Sequence, residues 1–179
     1  MDFSNIRHKV TQYQKILDNT NSYRKEWSDK TKHMIQSTLE AVLKETGLHA
    51  KVETKDDLTN LAGIALSLGQ EPSGISEKVG DAERPFIKSS GMLIYQQLFN
   101  GKIMISIVYP FIENLGQPKQ PKMIEILRPE EFKPPFILRH VEEFLKEIIN
   151  WEDYDDDVPQ AIGFQSAVQK NNILQTSDK

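Results

Sequence analysis

The chain has 179 residues, of which 38% are hydrophobic and 27% charged, a balance typical of a soluble globular domain with one hydrophobic core. It contains no cysteine, which excludes disulfide bonds, thiolate nucleophiles and cysteine-ligated zinc. The net charge of −4 and the pI near 5.6 argue against general nucleic-acid binding, and no run approaches the roughly 18 consecutive apolar residues of a membrane span.

Two regions of different composition are predicted. Residues 1–157 mix apolar and charged stretches and are expected to form a single α+β domain. Residues 158–179 are polar with scattered apolar side chains and are expected to be a disordered tail. The first residues lack a basic start followed by an apolar block, so we expect no secretory signal and a cytoplasmic protein.

The first predicted element is an amphipathic helix with a narrow apolar seam. Its apolar residues recur at alternating spacings of three and four, with polar residues between them, as in a coiled-coil helix. They are Phe3, Ile6, Val10, Tyr13 and Leu17. Such a seam packs either within the chain or against a second copy, and the sequence leaves both open.

A second helix is predicted from about residue 22 to residue 46, ending at Gly47. Trp27 lies in its apolar stripe. The weak breaker at residues 19–22 leaves two arrangements, namely a helical hairpin or one continuous helix of about 65 Å at about 1.5 Å per residue. A rod of that length would project beyond a domain of this size, and dimerisation would then be expected.

Residues 48–54 alternate between apolar and polar side chains and predict a half-buried strand. Residues 58–68 fit either a helix or a strand, and we prefer the strand. Its core face would carry Leu58, Ala62, Ile64, Leu66 and Leu68. A strip of small side chains would line the other face: Thr59, Gly63, Ala65, Ser67 and Gly69.

Residues 70–90 contain prolines, glycines and several charges, and we expect an irregular loop there. The loop carries Asp81, Glu83 and Arg84. Two carboxylates and an arginine at close spacing are one way to build an acid–base or ligand site. Together with a later histidine they supply the pocket of an alternative functional hypothesis.

The strongest turn signal is Asn100-Gly101, which joins the apolar runs 92–99 and 102–109. A two-residue type I′ loop would set the register and assign each residue to a face. The core face would then be Met92, Ile94, Leu98, Ile103, Ile105, Ile107 and Tyr109. The most informative side chains of the other face would be Tyr95, Gln97, Phe99 and Met104. This aromatic and apolar surface is either covered by a helix of the same chain or, as is typical of such surfaces, an interface with a partner.

Residues 122–128 predict a further strand that ends at Pro129, and Pro134-Pro135 starts a helix with a broad apolar face. His140 lies at the edge of that face. The order of elements and the short connections predict an α+β fold with an antiparallel sheet of about five strands. Two N-terminal helices, or one long helix, and the C-terminal helix would pack on this sheet.

The sequence shows no phosphate-binding glycine pattern. The acidic run at residues 153–157 imitates the start of a calcium-binding EF-hand loop, but Val158 and Phe164 stand where that loop needs a glycine and a glutamate. We therefore expect no metal ion and no cofactor.

These observations predict a non-enzymatic protein-interaction or adaptor module that binds a protein partner or itself as a homodimer, and binds neither nucleic acid nor membranes. The contact residues would be Tyr95, Gln97, Phe99, Met104, Tyr13 and Trp27. The alternative is a small-molecule-binding protein or enzyme whose pocket lies under residues 70–90. That pocket would use Asp81, Glu83, Arg84 and His140.

Overall fold

A computed structural model describes residues 2–56 and 61–153. The helices are α1 (Ser4–Glu26), α2 (Lys32–Thr46) and α3 (Pro134–Glu152), with a π-helical turn (Trp27–Thr31) after α1 and a 3-10 turn (Pro129–Glu131) before α3. The strands are β1 (Lys51–Lys55), β2 (Gly63–Ser67), β3 (Gln70–Val79), β4 (Ala82–Ser89), β5 (Met92–Gln97), β6 (Ile103–Val108), β7 (Phe111–Ile112) and β8 (Lys122–Leu127). The predicted tail, residues 158–179, lies outside the described residues.

Five strands form one antiparallel sheet in the order β1-β2-β5-β6-β8. The helices α2 and α3 pack on one face of this sheet and bury the apolar core with it. Its largest fully buried side chains include Trp27, Tyr95, Phe144, Ile35 and Leu39. The predicted α+β class with a five-stranded antiparallel sheet is confirmed. Within the described ranges, no helix is both long enough and apolar enough to cross a membrane.

The N-terminal helices are joined into one rod. α1, the π-helical turn and α2 run without interruption over residues 4–46, which at about 1.5 Å per residue is about 65 Å. We call the two sheets together with α2 and α3 the body. The Thr31 hydroxyl donates a hydrogen bond to the Pro129 carbonyl over 3.1 Å and links the π-helical turn to this body. The rod ends at the predicted Gly47, whose φ of 69° suits a left-handed helix stop. The continuous arrangement is therefore the one adopted.

The β5–β6 hairpin has a register one residue away from the predicted one. Tyr95 pairs with Ile105. The loop contains three residues instead of two, because the Leu98 N–H donates to the Lys102 carbonyl over 2.7 Å. Within the loop, the Gly101 N–H donates to the Leu98 carbonyl over 2.8 Å. Gly101 has a φ of 76°, the left-handed conformation that ends such a loop.

This one-residue difference exchanges the two faces of β5, since neighbouring side chains of a strand point to opposite sides. The buried residues of β5 are Leu93, Tyr95 and Gln97. The prediction that Met92 and Ile94 face the core was wrong, and Leu98 lies beyond the end of β5, directly before the loop. The other predicted core residues of the hairpin are buried: Ile103, Ile105, Ile107 and Tyr109.

The three-residue loop lies in contact with α1. A Cβ added to Gly101 would stand 2.8 Å from the Tyr23 Cβ and 2.9 Å from the Thr20 carbonyl oxygen, so the loop backbone lies directly on α1. The Arg24 Nη2 donates to the Phe99 carbonyl over 2.8 Å in the same place. This docking site is set by long-range packing, which the turn dipeptide alone does not specify.

Residues 70–90 form a second hairpin, and the prediction of an irregular loop was wrong. β3 and β4 pair with each other, and β7 pairs with the base of β4. β3 and β4 pair in the same register as β2 and β5. Gly69 bends the chain between β2 and β3, Gly91 bends it between β4 and β5, and both have φ in the left-handed region. Gly80, with a φ of 65°, opens the turn at the tip, as a type II′ turn requires. We call this largely exposed hairpin the β3–β4 arm.

Candidate interaction surface

The first part of α1 carries an uncovered row of apolar side chains. Every residue from 2 to 18 is exposed, so the described body does not cover this segment. We call its row of apolar residues the α1 stripe; their exposed fractions lie between 46% and 62%, and they are Phe3, Ile6, Val10, Tyr13 and Leu17. Ile16, 58% exposed, widens the stripe. Sequence reasoning missed it because it falls outside the three-and-four spacing.

The α1 stripe continues the face by which the same helix packs on the body. Continued beyond Leu17, the alternating intervals of three and four reach Thr20, Arg24 and Trp27. Trp27 is only 2% exposed. Residues on a heptad spacing drift only about 20° per seven residues around a straight helix. The stripe and the docked face therefore point to the same side. The body covers this side from about residue 20 onward and leaves it open before that.

Local hydrogen bonds hold the projecting segment in helical form. The Ser4 N–H donates to the Asp2 carboxylate over 2.9 Å, which lowers the pKa of that carboxyl. The Thr11 hydroxyl donates to the Arg7 carbonyl over 3.1 Å. These contacts lie within the segment and leave its apolar side chains exposed.

The six residues predicted to contact a partner fall into two groups. Tyr95, Gln97 and Trp27 are each no more than 2% exposed and lie in the core, so they form no accessible surface within one chain. Tyr13 lies in the α1 stripe, and Phe99 is 78% exposed in the loop that docks on α1. Met104 is half-buried on the sheet face opposite the helices.

That second face of the sheet is lined by small and apolar residues. β2 confirms the preferred strand over its described part, with Ile64 and Leu66 buried on the core face. The opposite face shows the predicted small residues beside larger apolar ones: Gly63, Ala65, Ser67, Met92, Ile94, Met104 and Val108. Met123 and Ile126 at its β8 edge are 57% and 44% exposed.

His140 forms part of a buried polar network between α3 and the sheet. The Tyr95 hydroxyl lies 3.3 Å from His140 Nδ1, and His140 Nε2 lies 2.6 Å from Glu125 Oε1. Arg139 contacts the same carboxylate. These partners assign the ring proton to Nε2, which donates to the carboxylate, while Nδ1 accepts from the Tyr95 hydroxyl. The predicted edge histidine is thus fully buried.

Burial controls the protonation of this network. Burial lowers the pKa of His140 more than the hydrogen bond to Glu125 raises it. Burial also acts to raise the pKa of Glu125, but hydrogen bonding from His140 and the charge of Arg139 outweigh it and hold that pKa below its usual value. The neutral imidazole of His140 is shielded from solvent. Its hydrogen bonds therefore link α3 to β5 and β8.

We predict that the free energy of unfolding falls as the pH drops below 6.5, the ordinary pKa of histidine. The folded-state pKa of His140 is depressed, so the unfolded chain binds the extra proton in this range, with a slope of at most about 1.4 kcal/mol per pH unit. The depressed pKa of Glu125 adds to the loss below pH 4.5. His140→Gln should have a lower free energy of unfolding at neutral pH. Below pH 6.5, urea titrations should show that its free energy of unfolding changes less with pH than that of the unmodified protein. Equal slopes for the two proteins would contradict this assignment.

A second polar cluster also joins α3 to the sheet. The Lys122 Nζ lies 2.6 Å from Glu143 and 2.7 Å from Glu147, and the Tyr109 hydroxyl donates to Glu147 over 2.6 Å. The two hydrogen bonds raise the pKa of Lys122. Burial and the bond to Glu147 raise the pKa of Tyr109 to about 12. All of these groups are satisfied by one another.

The residues of the alternative pocket are not brought together. Asp81 lies at the tip of the β3–β4 arm, and Glu83 and Arg84 are exposed along it, with Arg84 Nη2 3.7 Å from Glu113. His140 is buried between α3 and the five-stranded sheet. Over residues 2–56 and 61–153, no cluster of three or more histidine, aspartate or glutamate side chains could hold a metal ion.

Comparisons of this chain with protein-family models, with curated protein sequences and with solved structures give no match. The α1 stripe is a row of exposed apolar side chains on a projecting helix, and an exposed phenylalanine lies in the loop where the body begins.

Proposed function

We propose that this protein is a non-enzymatic protein-interaction module that acts as a homodimer joined through the α1 stripe. The observation that carries this proposal is that the stripe lies on a segment of α1 whose residues are all exposed. Exposed contiguous apolar patches on soluble proteins mark contact surfaces.

The spacing of the stripe favours a second copy as its partner. Apolar residues at alternating intervals of three and four form a seam that packs knobs into holes against a helix of the same kind. A helix that presents one self-complementary seam forms a closed two-fold dimer, the commonest soluble oligomer. The required partner is then always present with the chain itself.

The lack of packing on the projecting segment supports the same conclusion. Amphipathic helices gain most of their stability from packing one face. The segment before residue 18 has no such packing from the described body. Pairing with a second α1 would supply it.

The enzyme or ligand-pocket alternative finds less support. It needs Asp81, Glu83 and Arg84 close to His140, whereas the first three lie on the exposed arm and the histidine lies in the core. The contacts of His140 with Tyr95 and Glu125 account for its position without a ligand.

Light scattering coupled to size-exclusion chromatography tests the proposal. The expected mass at micromolar concentration is twice the 20.6 kDa of the chain. A mass of one chain across the micromolar range would overturn the homodimer.

A further inference from the structure

We propose that the two copies pair their α1 stripes in an antiparallel orientation, so that the N-terminus of each copy completes an aromatic site at the β5–β6 loop of the other. This inference rests on the homodimer proposed above. It follows from where the body lies relative to the stripe.

A parallel pair conflicts with the position of the β5–β6 loop. The axes of packed helices lie only about 8–10 Å apart, so a parallel partner, whose helix continues past residue 24, would occupy the stripe side of residues 23 and 24. The loop already occupies that space, because a Cβ added to Gly101 would stand 2.8 Å from the Tyr23 Cβ. Arg24 binds the same loop through the Phe99 carbonyl. A second helix has no room there.

An antiparallel pair meets no such obstacle. In the register that uses the whole stripe, Ile6 faces the partner's Leu17 and Val10 faces the partner's Tyr13. Each helix then ends where the other body begins, and the two bodies lie at opposite ends of the paired helices. Registers in which the two helices overlap less leave part of the stripe uncovered. Registers in which they overlap more bring the partner's N-terminus into the β5–β6 loop.

The same register gives Phe99 a partner. Phe3 would lie opposite the partner's Thr20, beside the loop that carries the partner's Phe99. Phe99 is 78% exposed within one copy, the highest value among its large apolar side chains in the described ranges. Aromatic pairs of this kind favour tilted or offset contacts and bury large apolar surfaces. The site is incomplete in one chain and complete in two.

Single cysteines can report the orientation, because the chain has none of its own. Tagged Ile6→Cys and untagged Leu17→Cys are mixed under reducing conditions, allowed to exchange subunits and then oxidised. In the antiparallel register, position 6 of one copy meets position 17 of the other. Two copies of position 6 lie about 16 Å apart along the axis, far beyond the Cα separation of about 5.5–6 Å in a disulfide. Thr11→Cys, on the outer face of α1, is the control for random collisions.

The expected result is a mixed disulfide dimer in at least about tenfold excess over dimers of either single variant. Phe3→Cys mixed with Phe99→Cys should likewise join through a short flexible bis-maleimide. Efficient bonding of Ile6→Cys to itself would overturn the antiparallel orientation and leave the homodimer intact. A stable dimer that forms neither bond would contradict the register. Single-chain mass by light scattering of the reduced proteins would overturn the homodimer itself.

Discussion

Replacing Val10 and Leu17 by lysine is expected to convert the proposed dimer into monomers. Val10 lies in the middle of the α1 stripe and Leu17 at its end, and both side chains are about half exposed in one chain. Burying a Val or Leu side chain is worth about 1.5–3 kcal/mol, and each substitution occurs twice in a dimer. The dissociation constant should rise at least about 1,000-fold, which corresponds to about 4 kcal/mol. Sedimentation equilibrium or light scattering over a concentration series measures it.

Thr11→Lys combined with Gln12→Lys provides the matched control. Both positions are exposed on α1 outside the stripe, and the pair adds the same two positive charges. This control should remain dimeric with an unchanged dissociation constant. A Val10→Lys/Leu17→Lys protein that stays dimeric at low micromolar concentration would show that another surface joins the copies.

Replacing Trp27 by alanine is expected to cost about 3–5 kcal/mol in the free energy of unfolding. Trp27 is 2% exposed and belongs to the core formed by α2, α3 and the sheet. Removing its indole leaves a cavity beneath the π-helical turn. Urea denaturation followed by circular dichroism measures the loss.

The comparison variant is Phe99→Ala, made in the Val10→Lys/Leu17→Lys background so that dimer contacts do not contribute. Phe99 is 78% exposed in one chain, and an exposed substitution of this kind changes stability by less than about 0.5 kcal/mol. Similar losses for the two variants would contradict the placement of Trp27 in the core and Phe99 on the surface.

Local sequence patterns predicted the elements that depend on neighbouring residues. The three-and-four spacing from Phe3 to Leu17 located the helix and its seam, since helical periodicity is a local property. Alternation over β2 distinguished Ile64 and Leu66 from the small residues between them. The same patterns could not choose between a continuous rod and a helical hairpin. Packing of the π-helical turn against Pro129, nearly a hundred positions away, accompanies the continuous rod.

The β3–β4 arm differs from the predicted loop because prolines and glycines, which usually interrupt strands, occupy bends and turns of a paired ribbon here. Gly69 and Gly91 instead bend a ribbon whose pairing continues from β2 and β5, and Gly80 forms its turn. Pro72 borders a register shift in β3, and Pro85 lies in the part of β4 that does not pair with β7, and both are positions at which a strand tolerates proline. The arm also separates Asp81 and Arg84 from His140, which removed the geometric basis of the predicted pocket.

Local sequence patterns are sufficient to specify the helical seam of α1, the antiparallel sheet and the amphipathic α3, because periodicity and turn residues act over short distances. Which face of the β5–β6 hairpin is buried depends instead on long-range packing. Gly101 docks on Tyr23 in a three-residue loop, and the resulting one-residue change of register places Tyr95 and Gln97 in the core. Long-range packing among the described residues also leaves the α1 stripe exposed, since exposure depends on where the body ends along the rod.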